Sequence, residues 1–342
     1  MCAEYATFGL APAVRAGGVL ANGDYQLHRD FVDFIVDGRP LLFQLSDLDA
    51  VSPLASDIPP AIFTAQVRAL LLEAEAPLPG GRYVIYGCPE CEGIECGAVT
   101  AAIDKADDGS DDFVWRDFAW QTDEHADLEL NGYHGIGPFR FRGAEYRSAL
   151  QSLLDRQEPA PRRVLLIGAR VAVLAKLAAA LRTIGIGAEI TTDAADVPAD
   201  ELRTYGAVAF GRAVSEGQRA AVRGAFKRAG VDVAYVDGLA PIIPLLVAQI
   251  EHALDRSPLE QRRLTRLVAA DGEAGVEVSS TCRVQLTAYR LDRLYRTHTH
   301  EVFDDILEPG KHRIALDAKA TKGESFIVAR TTDSVLVAPM AR

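Results

Sequence analysis

The 342 residues are 49% hydrophobic and 25% charged, with a formal net charge of −12, the balance of an ordinary globular chain long enough for two or three domains. No apolar run reaches the roughly 20 residues of a membrane-spanning helix. The start, Met1-Cys2-Ala3-Glu4-Tyr5, lacks the basic region and apolar core of a secretory leader, so a cytoplasmic protein with no membrane partner is expected. The charge is uneven. Residues 1–158 hold 26 acidic and 11 basic side chains, a net of −15, whereas 159–342 hold 22 and 25. An acidic front half excludes the phosphate backbone of a nucleic acid as its partner, because counterion release rewards basic surfaces. It serves solubility, and leaves a protein partner, self or other, open. Five cysteines, an odd number in a chain this long, do not make a disulfide framework.

In chain order, residues 1–156 read as an acidic α+β domain. The apolar runs 31–36 and 40–43 flank the turn pair Asp37-Gly38, a hairpin pattern. Pro59-Pro60 opens a helix carrying Ile62, Phe63, Val67, Leu70 and Leu71 at helical spacing. A short β run, 82–86, delivers the chain to Cys88-Pro89-Glu90-Cys91-Glu92-Gly93-Ile94-Glu95-Cys96-Gly97, and 98–103 reads as the return strand. A further strand holds Phe113-Val114-Trp115-Arg116-Asp117-Phe118, and a helix covers about 143–155. Trp115, Phe118, Trp120, Phe139 and Phe141 are expected in the core rather than on a stacking surface, since their surroundings are acidic.

The spacing Cys-x2-Cys-x4-Cys is that of a metal knuckle. Thiolates two residues apart across a tight turn reach one tetrahedral Zn²⁺, with Pro89 and Gly93 supplying turn geometry and Cys96 a third ligand. His134, or alternatively His125, would close a Cys3His site. Three small thiols packing the loop without metal are the alternative. A redox Cys-x-x-Cys opens a helix after a strand, whereas this cluster lies between two strands. Glu90, Glu92 and Glu95 oppose thiolate formation unless a cation is present.

The run of Gly87-Cys88, Cys91 and Cys96, then Trp115-Arg116-Asp117-Phe118, then Gly137-Pro138-Phe139-Arg140-Phe141 with Tyr146 resembles an uncharacterised bacterial family. That family has a cysteine knuckle, a Trp-x-x-Phe strand and a Gly-Pro-Phe-x-Phe…Tyr ending. The resemblance covers roughly residues 80–150 and implies family membership without a mechanism.

After the linker Gln157-Glu158-Pro159-Ala160-Pro161, residues 162–256 alternate strand and helix. Strands are expected at 164–168, 188–192, 207–211 and 233–236. Ser215 with Gln218 forms a capping box for a helix to about 229, and a last apolar helix begins near Pro241. Right-handed crossovers make this a four-stranded parallel sheet. The unit resembles a degenerate Rossmann-like or receiver-like domain. A dinucleotide fingerprint needs three glycines after the first strand, and Gly168-Ala169-Arg170-Val171 supplies one, although Asp193 stands where a ribose-binding acid belongs. A receiver needs acids where Gly168-Ala169 and Gly211-Arg212 stand. Nicotinamide or flavin could still enter a crevice marked by Gly168, Asp193 and Asp237, with Arg170 and Arg212 converging on it. Residues 257–274 read as a basic helical connector and 275–342, alternating with period two, as a small β-sandwich. This last segment resembles the immunoglobulin-like modules of bacterial proteins. His298-Thr299-His300 sets two imidazoles on one face of what reads as a solvated edge strand.

The expectation is thus a multidomain α/β and α+β protein. Its function would be non-catalytic binding or scaffolding, with self-association and a structural zinc knuckle. A nucleotide-dependent oxidoreductase acting in the central crevice is the alternative.

Overall fold

The computed structural model describes residues 5–341 apart from 46–47, 56–57, 92–93, 95, 155–161, 192–196, 293, 295, 318–319 and 321–322. The chain is mixed α/β and divides into two compact units. One holds residues 1–15, 29–159 and 257–261, the other 16–28, 160–256 and 262–342. Against the boundary expected at 156–162, residues 16–28 group with the second unit and 257–261 with the first.

In the first unit the strand Arg29–Val36 turns through Asp37 and Gly38, both at positive φ, as the Asp-Gly pair demands. The return is only Arg39–Pro40, and Leu41–Gln44 is helical where a hairpin strand was expected. The main partner of Arg29–Val36 is Phe8–Arg15, antiparallel over its whole length. This strand has no clean alternation and carries Pro12, which a sheet tolerates at an edge, where the missing N–H faces no ladder; Phe8–Arg15 is an edge strand. A second sheet is the meander Arg82–Gly87, Ala98–Lys105, Phe113–Gln121 and Phe139–Phe141. Helices Pro60–Leu70 and Gly143–Leu154 complete the unit. Trp115, Phe118 and Phe141 are buried in its core as expected, while Trp120 and Phe139 pack partly buried against it. The core's polar atoms are paired: Trp115 Nε1 donates to Tyr146 Oη at 3.1 Å, and Tyr146 Oη donates to the Leu70 carbonyl at 2.9 Å.

In the second unit Arg163–Ile167, Gly187–Thr191, Ala207–Phe210 and Ala234–Asp237 form a parallel sheet ordered second, first, third, fourth. Alternate side chains feed two cores. Val164, Leu166, Ala209 and Val236 face Val171–Thr183 and Ile243–Leu254, while Leu165, Ile167, Val208 and Phe210 face Glu216–Arg228. The capping box forms: Ser215 Oγ accepts the Gln218 amide at 3.3 Å and Gln218 Oε1 accepts the Ser215 amide at 3.1 Å.

The connector expected to be helical across 257–274 is not. After a short turn of 3-10 helix at Leu259–Gln261, Leu264–Ala270 is a strand that pairs antiparallel with Glu273–Val278. Asp271 and Gly272 turn between them at positive φ, and this Asp-Gly pair is the signal the helical spacing of Leu264 and Leu267 obscured. The following strands extend the same sheet instead of stacking as a separate sandwich. Its order is Thr297–Leu307, Cys282–Leu291, Glu324–Arg330, Val335–Ala341, Leu264–Ala270, Glu273–Val278, Gly310–Ala315. Side chains from both ends of this order share one core, so the seven-stranded sheet curls on itself. Thr297–Leu307 lies at its edge, as expected, and His298 there meets Asp292 at 3.1 Å.

The excursion 16–28 forms a small hairpin, Gly18–Val19 with Tyr25–Gln26, inside the second unit. Buried Glu251 fastens it, accepting the Gly17 amide at 2.9 Å and meeting His28 Nδ1 at 2.6 Å, while Arg330 bonds the Gly17 carbonyl. A buried carboxylate needs such partners. No helix of the described residues is long and apolar enough to cross a membrane.

Candidate functional site

Two places in the molecule gather chemistry. The first is the loop between Arg82–Gly87 and Ala98–Lys105. Its entry strand is fixed by buried Tyr86, whose hydroxyl bonds Asp33. Burial and that carboxylate push the phenol well above its ordinary range. Gly87 exchanges two backbone bonds with Val51, at 2.8 and 3.0 Å, and the Pro89 carbonyl accepts from Arg29 Nε at 2.9 Å. At the exit, the Gly97 amide donates to the Ile94 carbonyl at 2.8 Å, closing the turn. Gly97 sits at φ +91°, and a Cβ there would lie 2.1 Å from Trp120 Cζ2. Only glycine combines that backbone with an indole pressed on it.

Held this way, the sulfurs of Cys88, Cys91 and Cys96 all lie within 4.8 Å of one another. Cys88 and Cys91 are half-buried and Cys96 is exposed. Burial pushes the Cys88 thiol up. The amides of Glu90 and Cys91 and the thiols of Cys91 and Cys96 outweigh it and bring it below the ordinary value, since donors to a sulfur favour its anion. Cys96 is pushed up to about 11 by Cys91 first and then Cys88. The two shifts run in opposite directions, and a bound cation would favour the thiolate form at each sulfur that ligates it. Glu90, beside the cluster in sequence, lies 3.7 Å from the Arg15 guanidinium. Three thiols so placed can hold a metal ion.

His134 does not join them. Among the described residues the donor cluster holds the three cysteines alone, and His134 lies exposed in the turn after Leu128–Asn131, its ring against Gly132. His125 is likewise exposed and outside the cluster. Both histidines follow the third strand of the meander, and sequence order carries no information on which way that loop leaves the sheet. Of the other cysteines, Cys282 is buried in the seven-stranded sheet and Cys2 lies outside the described residues.

The second place is at the carboxyl ends of the parallel strands, where the order reverses between Arg163–Ile167 and Ala207–Phe210. Such a reversal opens a crevice in open α/β sheets. Here Gly168 and Gly211 cross: a Cβ on Gly168 would stand 3.5 Å from Gly211 Cα, and the Gly211 amide donates to the Ile167 carbonyl at 2.7 Å. Below them a cavity of about 240 Å³ runs between Val171–Thr183 and Ile243–Leu254. Gly168, Arg170 and Arg212 line it, as expected; Asp237 does not. The strand alternates, so Val236 faces the cavity and Asp237 the opposite face, where it pairs with Arg219. Asp193 lies outside the described residues. The apolar wall is Val173, Leu177, Leu246 and Ile250, none of them singled out as site residues in the sequence.

No protein-family model matches the chain, and no curated protein and no solved structure matches it.

Proposed function

We propose that the chain is a non-catalytic binding protein whose cysteine knuckle is closed by a structural zinc ion. The observation that carries the reading is the approach of three sulfurs to within 4.8 Å, on a turn whose amides already point at Cys88. Zn–S bonds of about 2.3 Å in a tetrahedron set sulfurs roughly 3.8 Å apart, a spacing inside the 4.8 Å limit of this cluster. Thiolates select soft and borderline metals over magnesium and calcium. The loop delivers the chain into the strand Ala98–Lys105 and not into a helix, which suits a staple better than a redox pair. In this reading the two units are separate domains. A nucleotide-dependent oxidoreductase is the second reading. It draws on Gly168 standing at the strand-order reversal, and the apolar lining of the cavity weighs against it.

Elemental analysis of the purified chain tests the proposal. We expect about one zinc per chain, lost in Cys91→Ala, and a melting temperature lowered by on the order of 10 °C in chelator. Less than about a tenth of an equivalent, with melting unmoved by chelator, overturns it.

A further inference from the structure

We propose that the cavity at the carboxyl end of the parallel sheet binds a small amphipathic carboxylate. Its apolar body sits between the helices Val171–Thr183 and Ile243–Leu254, and its anionic head is held at the mouth by Arg170. Size sets the first bound. An apolar cavity of about 150 Å³ takes benzene, and drug-sized pockets begin near 300 Å³. At about 240 Å³ this one fits a substituted ring or a short alkyl chain, and is too small for a dinucleotide.

Lining chemistry sets the second. Leu166, Ala209 and Val236 come from three adjacent strands, and Val173, Leu177 and Ile250 from the two helices. The polar side chains on the lining are Arg170 and Arg212. A ribose or a base would bury hydroxyls and ring nitrogens against these walls without partners, a loss that apolar contact does not offset. A hydrocarbon body has no such groups.

The mouth sets the third. Both lining charges are positive, and no carboxylate lines the cavity among the described residues. Arg212 pairs with Glu324. Arg170 is exposed and forms no ion pair or hydrogen bond through its side chain among the described residues. It is also the N-cap of Val171–Thr183, which no side chain caps. A carboxylate there would meet a guanidinium and the positive end of a thirteen-residue helix together. The cysteine knuckle plays no part in this site, so failure of either proposal leaves the other intact.

Calorimetric titration of the full chain with 3-phenylpropionate and octanoate, each against its matched primary alcohol, tests the assignment. We expect saturable one-to-one binding of a carboxylate, weaker by about tenfold or more for its alcohol. Arg170→Glu should weaken the carboxylate by a similar factor and leave the alcohol unchanged. Val173→Trp, which fills the cavity, should abolish both. Since Arg170 is exposed and has no side-chain partner among the described residues, its variant keeps the test valid if the tryptophan variant fails to fold. Equal binding of acid and alcohol with Arg170→Glu silent would overturn the anion site, and no saturable binding of any of the four would overturn the cavity as a binding site.

Discussion

At the cysteine knuckle the functional atoms belong to neighbours in the chain, and the fold has only to hold a short loop in shape. At the sheet-end cavity they come from strands and helices far apart in sequence, and the fold itself creates the space. The knuckle is polar, and its sulfurs approach within 4.8 Å; the cavity is apolar apart from two arginines at its mouth. Glycine serves both places for different reasons. Gly97 is required by a positive φ and by Trp120, whereas Gly168 permits two loops to cross with room to spare.

That difference gives the largest expected effects. Gly97→Ala sets a methyl into the indole of Trp120 at a strained φ and should cost about 2–4 kcal/mol in urea unfolding, with loss of the metal. Gly168→Ala adds a Cβ at ordinary contact distance, 3.5 Å from Gly211 Cα and 3.6 Å from Leu174 Cδ1. Its cost should stay below about 1 kcal/mol. Equal costs would erase the contrast between a loop held shut and a crossing that merely passes.

A smaller effect is expected in acid. Partial burial pushes Asp112 up, but Arg140, Tyr5, the Gly143 amide and Ser110 together hold it down at about 2. A carboxyl depressed in the folded state stabilises above its ordinary value of 3.8 and loses that contribution as pH falls through the folded value. Stability should therefore decline from about pH 4 to about pH 2, and Asp112→Asn should flatten that decline in acid titrations followed by tryptophan fluorescence. Both tryptophans, Trp115 and Trp120, lie in the unit that holds Asp112. An unchanged acid limb would show that Asp112 does not anchor the start of Gly143–Leu154.

The smallest effect is expected at Asp237. It is exposed and faces away from the cavity toward Arg219, so Asp237→Asn should move stability by no more than about 0.5 kcal/mol. It should leave carboxylate binding unaltered. A large loss of binding would mean that the strand presents the other face to the ligand.

The same contrast explains what could be read in the sequence. Cys88, Cys91 and Cys96 announce themselves because thiols at fixed short spacing have few other uses, and the four parallel strands announce themselves as apolar runs between glycines. His134 lies outside the cluster, and its approach depends on a loop path that no local pattern encodes. Asp237 was placed at the correct end of the sheet but on the wrong side, a matter of one residue of alternation. Leu264–Ala270 read as helix because two leucines three apart suit either period in so short a run. The partnership of Phe8–Arg15 with Arg29–Val36 and the passage of 16–28 into the second unit were hidden for another reason. They rest on long-range pairs such as His28 with Glu251, which leave no trace in either segment alone.

The most direct test of the metal staple is zinc-edge X-ray absorption on the purified chain. Three sulfur scatterers per zinc at about 2.3 Å, falling to two in Cys96→Ala, are the expected result. A zinc shell of nitrogen and oxygen only, or sulfur counts unmoved by the cysteine substitution, would contradict it.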